Sequence, residues 1–235
     1  MKNLSIVFLA CLLLAGGGNI ARGAEIIQVK GSTTVLPVSE ACSQIFMQDH
    51  PGVKIHVHGG GSGRGISALI SGDCDIADAS RPIEAREIEL AINKGVEPTA
   101  HVIGLDAIAV IVHPSNPLSK LTSRQLKDIF TGKITDWSEV TGYKKGWILV
   151  VSRDAESGTF STFTELALDK AEVTPEALQK ASNQEVASTV EGKANSIGYV
   201  GLGYVSNRVK AVSINGVSAA KETARSGEYP FPEPC

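Results

Sequence analysis

A nine-residue stretch in the second half of the chain decides the fold: Ser152-Arg153-Asp154-Ala155-Glu156-Ser157-Gly158-Thr159-Phe160. It follows an apolar run over 147–151 that predicts a buried strand, and it leads into 160–168, where apolar residues recur at helical spacing. The stretch is therefore predicted to connect a strand to a helix. The first N–H groups of a helix lack internal partners, and Ser157 and Thr159 add hydroxyl donors. With the cation of Arg153 this set fits a small oxyanion, although a helix N-cap beside a surface arginine is the competing interpretation.

The N-terminal segment is typical of an exported protein. Lys2 precedes an almost unbroken apolar run over 4–15, and small residues follow. That order predicts a secretory signal peptide, residues 1–23, whose apolar run is too short to span a bilayer. Cys11 lies in a faint lipoprotein-box pattern, but apolar residues continue beyond it, so we expect no lipid anchor. The mature chain is expected in the periplasm, without direct insertion into the membrane.

Charge argues against one class of partner. The 235-residue chain has a formal net charge of −3, and removing residues 1–23 removes Lys2 and Arg22 and no acid, which lowers the charge by two to −5. We therefore expect no nucleic-acid partner. An anionic ligand has to be held by local dipoles and a few fixed cations, because the overall field repels it.

Histidines and cysteines give no metal pattern. His56 and His58 share one face of a predicted strand without an evident third ligand, so we expect them to face solvent and expect no metal and no cofactor. Three cysteines follow the signal segment. Cys42 and Cys74 are the favoured disulfide pair in an exported chain, and burial as small apolar side chains is an equal alternative.

Strands alternate with helices along the remaining chain, which indicates α/β units with mainly parallel sheets. Strands are predicted over 25–30, 53–58, 75–81, 100–112 (one long strand or two), 147–151, 196–200 and 209–214. Helices are predicted over 35–48, 66–71, 83–94, 121–130, 160–168 and 183–193, with a further short helix that Thr174 caps.

Four of these junctions deliver small hydroxyl residues or arginine to the start of a helix. Ligands of open α/β sheets collect at the carboxyl ends of the strands, so we expect these residues to converge on one cleft. The candidate ligand-binding residues are Thr33, Thr34, Ser62, Ser80, Arg81, Arg153, Ser157, Gly158 and Thr159. A charge-assisted hydrogen bond contributes roughly 1.5–3 kcal/mol and micromolar binding needs about 8 kcal/mol, so half a dozen donors suffice.

These motifs resemble the phosphate-binding proteins of bacterial phosphate ABC transporters. The likeness runs from about residue 26 to residue 230 and is carried by Gly31-Ser32-Thr33-Thr34-Val35-Leu36-Pro37, Gly61-Ser62-Gly63, Asp75-Ile76-Ala77-Asp78-Ala79-Ser80-Arg81, Ile129-Phe130-Thr131-Gly132-Lys133-Ile134-Thr135-Asp136-Trp137, and Arg153 followed by Ser157-Gly158-Thr159. The resemblance implies an α/β, two-lobed type II periplasmic-binding-protein fold with a hinge and an interlobe ligand cleft. Lobe 1 is expected to comprise 24–105 plus 206–235, and lobe 2 is expected to comprise 106–205.

The resemblance also implies a ligand and a partner. Phosphate would be contacted by the candidate residues, among which Arg81 matches a family branch that reads Ser-Arg at this point. An inner-membrane permease of the ABC transporter is the expected partner of a monomeric binding protein. The leading hypothesis is a receptor that captures inorganic phosphate and delivers it to that transporter. A receptor or sensor for sulfate or molybdate is the alternative, followed by a phosphatase-type enzyme; we expect no enzyme, since no histidine accompanies Ser62 or Ser157 in a recognised motif.

The sequence departs from the family at two places. One branch has Asp where this chain has Ser80; that carboxylate accepts the proton of hydrogen phosphate and repels sulfate, so Ser80 leaves selectivity open. Beyond Pro230 the family continues into another strand and a final helix, whereas this chain reads Phe231-Pro232-Glu233-Pro234-Cys235. We therefore expect the first lobe to be incomplete at its C-terminal end.

Overall fold

The computed structural model describes residues 25–142 and 146–235. The predicted signal peptide over 1–23 and the question of Cys11 lie outside these residues. None of the helices in the described ranges combines the length and apolarity that a bilayer span requires.

The first part of the chain forms a layer around a three-stranded parallel sheet. Its strands are β1 (Glu25–Gly31), β2 (Val53–Gly59) and β3 (Ile76–Asp78), in the order β2-β1-β3. Helices α1 (Leu36–Asp49), α2 (Ser62–Ser71) and α3 (Ala85–Asn93) follow the three strands in turn. Because the three strands are parallel, the loops that follow β1, β2 and β3 leave the sheet at the same edge.

The second layer surrounds a six-stranded mixed sheet. Its order is β11-β4-β8-β6-β7, and β9 also pairs with β4. The strands are β4 (Leu105–Val112), β6 (Leu149–Arg153), β7 (Leu178–Lys180), β8 (Ser196–Gly201), β9 (Lys210–Ala211) and β11 (Pro232–Pro234). A separate parallel pair joins β5 (Lys120–Leu121) to β10 (Ser213–Ile214). The helices are α4 (Ser123–Phe130), α5 (Ser138–Thr141), α6 (Gly158–Leu168), α7 (Asn183–Gly192) and α8 (Lys221–Ser226).

The two layers have cores of very different size. The second layer buries an aromatic cluster in which the rings of Phe163 and Tyr199 stack with centroids 3.9 Å apart. Its large cluster of buried side chains contrasts with a small one in the first layer, formed by Ile66, Ile70 and Ala91. Large apolar side chains on α1 and α3 remain exposed, including Ile45 at 61%, Phe46 at 43% and Ile92 at 58%.

The C-terminal segment packs with the second layer. Val212, Tyr229 and Phe231 are buried in its core, and the Tyr229 hydroxyl donates to the Ile108 carbonyl at 3.0 Å. Strand β11 then pairs antiparallel with the start of β4, so that Glu233 lies opposite Asp106. The division of the chain into two lobes remains a prediction.

Most predicted elements are present, and two predictions were wrong. The structure has a hydrogen-bonded turn over 174–177 in place of the helix predicted after Thr174, because the chain continues at Leu178 into β7, where Leu178 pairs with Val151 of β6. The predicted strand over 209–214 is interrupted, since β9 pairs with β4 while β10 pairs with β5. The favoured disulfide between Cys42 and Cys74 is not formed, since both are free thiols; Cys42 is exposed, and only Cys74 is buried as the alternative predicted.

Candidate functional site

The last residue of β6 is a buried cation, just before the loop that leads to α6. The Arg153 side chain is 1% exposed, and its Nε and Nη2 donate to the carbonyls of Lys180 (3.2 Å) and Ala181 (2.9 Å). Burial lowers its pKa, and within the described residues no carboxylate lies within 4 Å of its guanidinium. A buried charge without a counter-ion is costly, so an anion bound near the Arg153 guanidinium would be stabilised.

Helix α6 begins as its sequence predicts. Ser157 caps it, since its Oγ accepts a hydrogen bond from the Phe160 N–H at 3.1 Å. Thr159 is 1% exposed and Gly158 is also buried, so the first turn faces into the protein. A helix begins with N–H groups that have no partner within it, and here the first two belong to the buried residues Gly158 and Thr159.

Two serines of the first layer meet the start of α6. The Ser62 and Ser80 hydroxyl oxygens lie 3.3 Å apart, and the Ser80 N–H donates to Ser62 Oγ at 3.0 Å. Both serines are fully buried. A Cβ on Gly158 would lie 2.4 Å from Ser62 Oγ and 2.7 Å from Ser80 Oγ. Only glycine allows this approach of a helix N-terminus to the two hydroxyls.

The threonines after β1 form a second set of contacts between the layers. Thr34 Oγ1 lies 2.9 Å from Thr159 Oγ1, which joins the first layer to α6. The buried Asn183 amide donates to Thr33 Oγ1 at 3.2 Å and to Thr34 Oγ1 at 3.0 Å. The Tyr204 hydroxyl also donates to the Thr33 carbonyl. The hydroxyls of Thr33 and Thr34 are thus fixed against α6 and α7.

A backbone hydrogen bond joins the start of α2 to the loop that precedes α6. The Gly63 N–H donates to the Glu156 carbonyl at 2.9 Å. Gly61 has a φ of 112°, and a Cβ there would lie 2.6 Å from the same carbonyl oxygen. The glycine-rich turn therefore allows the start of α2 to approach the loop that precedes α6.

Arg81 is directed elsewhere. Its guanidinium forms a bidentate pair with Glu87, at 2.8 and 2.7 Å, and Nη1 donates to the Pro82 carbonyl. The bond to Glu87 raises the pKa of Arg81, and the bond to Arg81 lowers that of Glu87. Glu87 also accepts from the Glu84 N–H at the start of α3. Arg81 thus stabilises the entry into α3, and among the described residues its guanidinium bonds only to Pro82, Glu84 and Glu87.

The sequence analysis missed two carboxyl groups, Asp106 on β4 and Glu233 on β11. Glu233 is fully buried, and neither of its oxygens has a hydrogen-bond partner among the described residues. The pKa of Glu233 is raised to about 8. Burial is the main cause and the charge of Asp106 acts in the same direction, whereas the Thr159 hydroxyl, the Ser80 hydroxyl and Arg153 lower the pKa. The two hydroxyls lie close to the carboxyl without being aligned as donors to it. Glu233 therefore faces the same residues that surround the start of α6.

Asp106 lies beside this region as well. A Cβ on Gly201 would lie 2.5 Å from Asp106 Oδ2 and 3.1 Å from Thr34 Cγ2, so the carboxylate and the threonine are neighbours. Burial raises the pKa of Asp106, while the N–H groups of Ala107 and Leu202 lower it. No local pattern marks Asp106, Asn183 or Glu233, because strand pairing and chain crossing bring them here.

Comparison with known proteins identifies the family. The family model described as a PBP superfamily domain matches residues 19–234. The phosphate-binding protein PstS of Bacillus subtilis is 32% identical over 209 residues, which cover 87% of this chain and 67% of that protein. The chain belongs to the PstS family of the PBP superfamily. PstS of Staphylococcus saprophyticus is 31% identical over 240 residues, covering 96% of this chain and 75% of that protein.

Solved structures agree with this family. A substrate-binding protein assigned to a phosphate ABC transporter of Clostridium perfringens, solved with bound phosphate, has a TM-score of 0.82 and 36% identity over 89% of this chain and 84% of its own. An ABC-type phosphate transport receptor from Vibrio cholerae has a TM-score of 0.68 and 31% identity, with coverages of 88% and 84%. The predicted resemblance and the predicted type II periplasmic-binding-protein fold are confirmed.

Proposed function

We propose that this protein captures inorganic phosphate between its two layers and delivers it to the permease of an ABC transporter. The names of its relatives support the ligand and the transport role. The observation that carries the proposal is the buried Arg153, which has no carboxylate partner in the described structure and acts on the same buried carboxyl, Glu233, as Thr159 of α6 and Ser80.

The donors in this region suit a tetrahedral oxyanion. Arg153 supplies charge, the first turn of α6 supplies N–H groups, and hydroxyls are supplied by Thr33, Thr34, Ser62, Ser80, Ser157 and Thr159. Charge-assisted bonds to an anion contribute roughly 1.5–3 kcal/mol each, and micromolar affinity needs about 8 kcal/mol. A few such bonds therefore suffice after the costs of ordering are subtracted.

The proposed site joins both layers. Thr33, Thr34, Ser62 and Ser80 come from the first layer, whereas Arg153 and the first turn of α6 come from the second. An anion bonded to both would hold the layers together, so closure of two lobes around the ligand is the expected accompaniment of binding. We further propose export to the periplasm, because the 1–23 segment has the plan of a signal peptide.

A receptor for sulfate or molybdate is the second candidate. Ser80 favours it, since a hydroxyl accommodates an oxyanion whether or not that anion carries a proton. A phosphatase activity has less support. Among the described residues, the histidines form contacts elsewhere, such as His56 with Gln28 and His113 with Ser115, and none of these contacts includes Ser62 or Ser157.

Titration calorimetry with phosphate and with sulfate on the purified protein tests the proposal. We expect phosphate to bind at micromolar concentration or tighter and more tightly than sulfate. Equal affinity for the two anions would favour the second candidate, and no heat with phosphate at neutral pH would refute phosphate capture. Release of phosphate from p-nitrophenyl phosphate, measured in parallel, tests the enzymatic alternative.

A further inference from the structure

The contacts of Glu233 among the described residues do not explain why a carboxyl is buried at this position. It is fully buried on β11, and both oxygens are without hydrogen-bond partners among the described residues. Burying a carboxyl in this way is costly, and a hydrophobic side chain would avoid the cost. An unsatisfied polar group of this kind points to a partner that the protein chain does not supply.

The groups that face this carboxyl place it at the proposed anion site. Arg153 of β6, Thr159 of α6 and Ser80 after β3 all act on its charge, as does Asp106 directly opposite on β4. Tyr199 of β8 and Cys235 are the other titratable groups that interact with it. Three of these neighbours, Arg153, Thr159 and Ser80, belong to the set proposed to hold phosphate.

We infer that Glu233 is a ligand-binding residue whose ionised form selects oxyanions carrying a proton. The inference rests on the proposed function and assigns the selectivity that Ser80 leaves open. A carboxyl and an oxyanion in contact have to share one proton, because two bare anions repel each other in a buried site. Hydrogen phosphate brings that proton with its own hydroxyl, and the ionised carboxylate accepts it. Sulfate carries no proton in the pH range where proteins fold, so the carboxyl has to supply it.

The selectivity therefore depends on pH in a defined direction. Since the Glu233 pKa is about 8, the carboxyl is protonated at pH 6.5 and can donate to phosphate or sulfate. At pH 9.5 it is ionised and accepts only. Sulfate binding then requires proton uptake against the solution pH and is expected to weaken about 30-fold, since each pH unit above the pKa costs about a factor of ten. Phosphate retains a proton at pH 9.5 and should lose less than about threefold by the same linkage.

The experiment compares phosphate and sulfate affinities at pH 6.5 and pH 9.5 in three proteins. In the unaltered protein the preference for phosphate over sulfate should rise at least tenfold between the two pH values. In Glu233→Gln this preference should change less than twofold, because the glutamine amide donates a hydrogen bond at both pH values. Glu228→Gln, an exposed neighbour in the same segment, should behave like the unaltered protein.

A second measurement does not depend on a variant. Calorimetry at pH 9 in buffers of different ionisation enthalpy should show that sulfate takes up close to one proton per anion and phosphate takes up almost none. The inference is wrong if phosphate binds but the preference, or a complete lack of sulfate binding, is the same in Glu233→Gln as in the unaltered protein. Absence of phosphate binding at both pH values would instead refute the proposed function and this inference with it.

Discussion

Replacing Glu233 by glutamine is expected to stabilise the ligand-free protein at alkaline pH. The side chain is fully buried, neither of its oxygens has a hydrogen-bond partner in the part of the chain that the structure describes, and its pKa is raised from 4.5 to about 8. Glutamine has nearly the same shape and cannot ionise. The variant therefore removes the cost of a buried charge while leaving the packing of β11 largely unchanged.

The magnitude follows from proton linkage. Between pH 4.5 and pH 8 the folded protein holds a proton on Glu233 that the unfolded chain has already released, so stability falls as pH rises through this interval and the full loss is present above it. Each pKa unit corresponds to about 1.4 kcal/mol, which sets the loss at up to about 5 kcal/mol. Asp78 and Asp106, whose pKa values are also raised by burial, contribute a loss of the same sign in both proteins.

Urea unfolding in phosphate-free buffer at pH 5, 7 and 9 measures the effect. The free energy of unfolding of the second layer, which contains Glu233, should be higher in Glu233→Gln than in the unaltered protein, by an amount that grows with pH and reaches several kcal/mol at pH 9. Glu228→Gln, which changes an exposed carboxylate, should show no such trend. A difference between Glu233→Gln and the unaltered protein that stays constant within about 1 kcal/mol over this range would refute the reasoning.

Three further substitutions test the site itself. Arg153→Ala should abolish phosphate binding in calorimetry, whereas Arg124→Ala, which removes an arginine whose side chain is 92% exposed, should not change it; retained binding in Arg153→Ala would place the anion elsewhere. Gly158→Ala should weaken phosphate binding at least tenfold, because the new Cβ would lie 2.4 Å from a serine hydroxyl, while Gly192→Ala, with open space around it, serves as the control. Arg81→Ala should lower the melting temperature by loss of the Glu87 pair yet keep phosphate affinity within about threefold, and a loss of binding would show that Arg81 reaches the ligand.

The parts of the site that the sequence could predict are local ones. Ser157 and Gly158 follow an apolar strand and begin a helix, so a few neighbouring residues determine their position, and the observed helix starts two residues before the predicted 160–168. Ser62 is similar: it was assigned to the turn before the predicted helix over 66–71 and is the first residue of α2. Hydroxyl residues at helix starts can therefore be recognised from sequence alone.

Residues placed by long-range pairing could not be predicted. Glu233 stands between two prolines and has no periodic pattern around it, and only its pairing with Asp106 across β11 and β4 brings it to the site. Asn183 could not be predicted for the same reason, because its contacts with Thr33 and Thr34 join residues of different layers. The helix predicted after Thr174 failed for a related reason, since strand pairing overrode a local capping signal.

The unequal cores of the two layers affect how the protein unfolds. The thinly packed first layer holds Ser62 and Ser80, while Arg153 and α6 belong to the layer with the large aromatic core. Without ligand the weaker layer should open first, at a lower denaturant concentration than the rest. An anion bonded to both layers would stabilise the first layer against unfolding independently of the second. Anion binding should therefore convert two unfolding steps into a single cooperative transition.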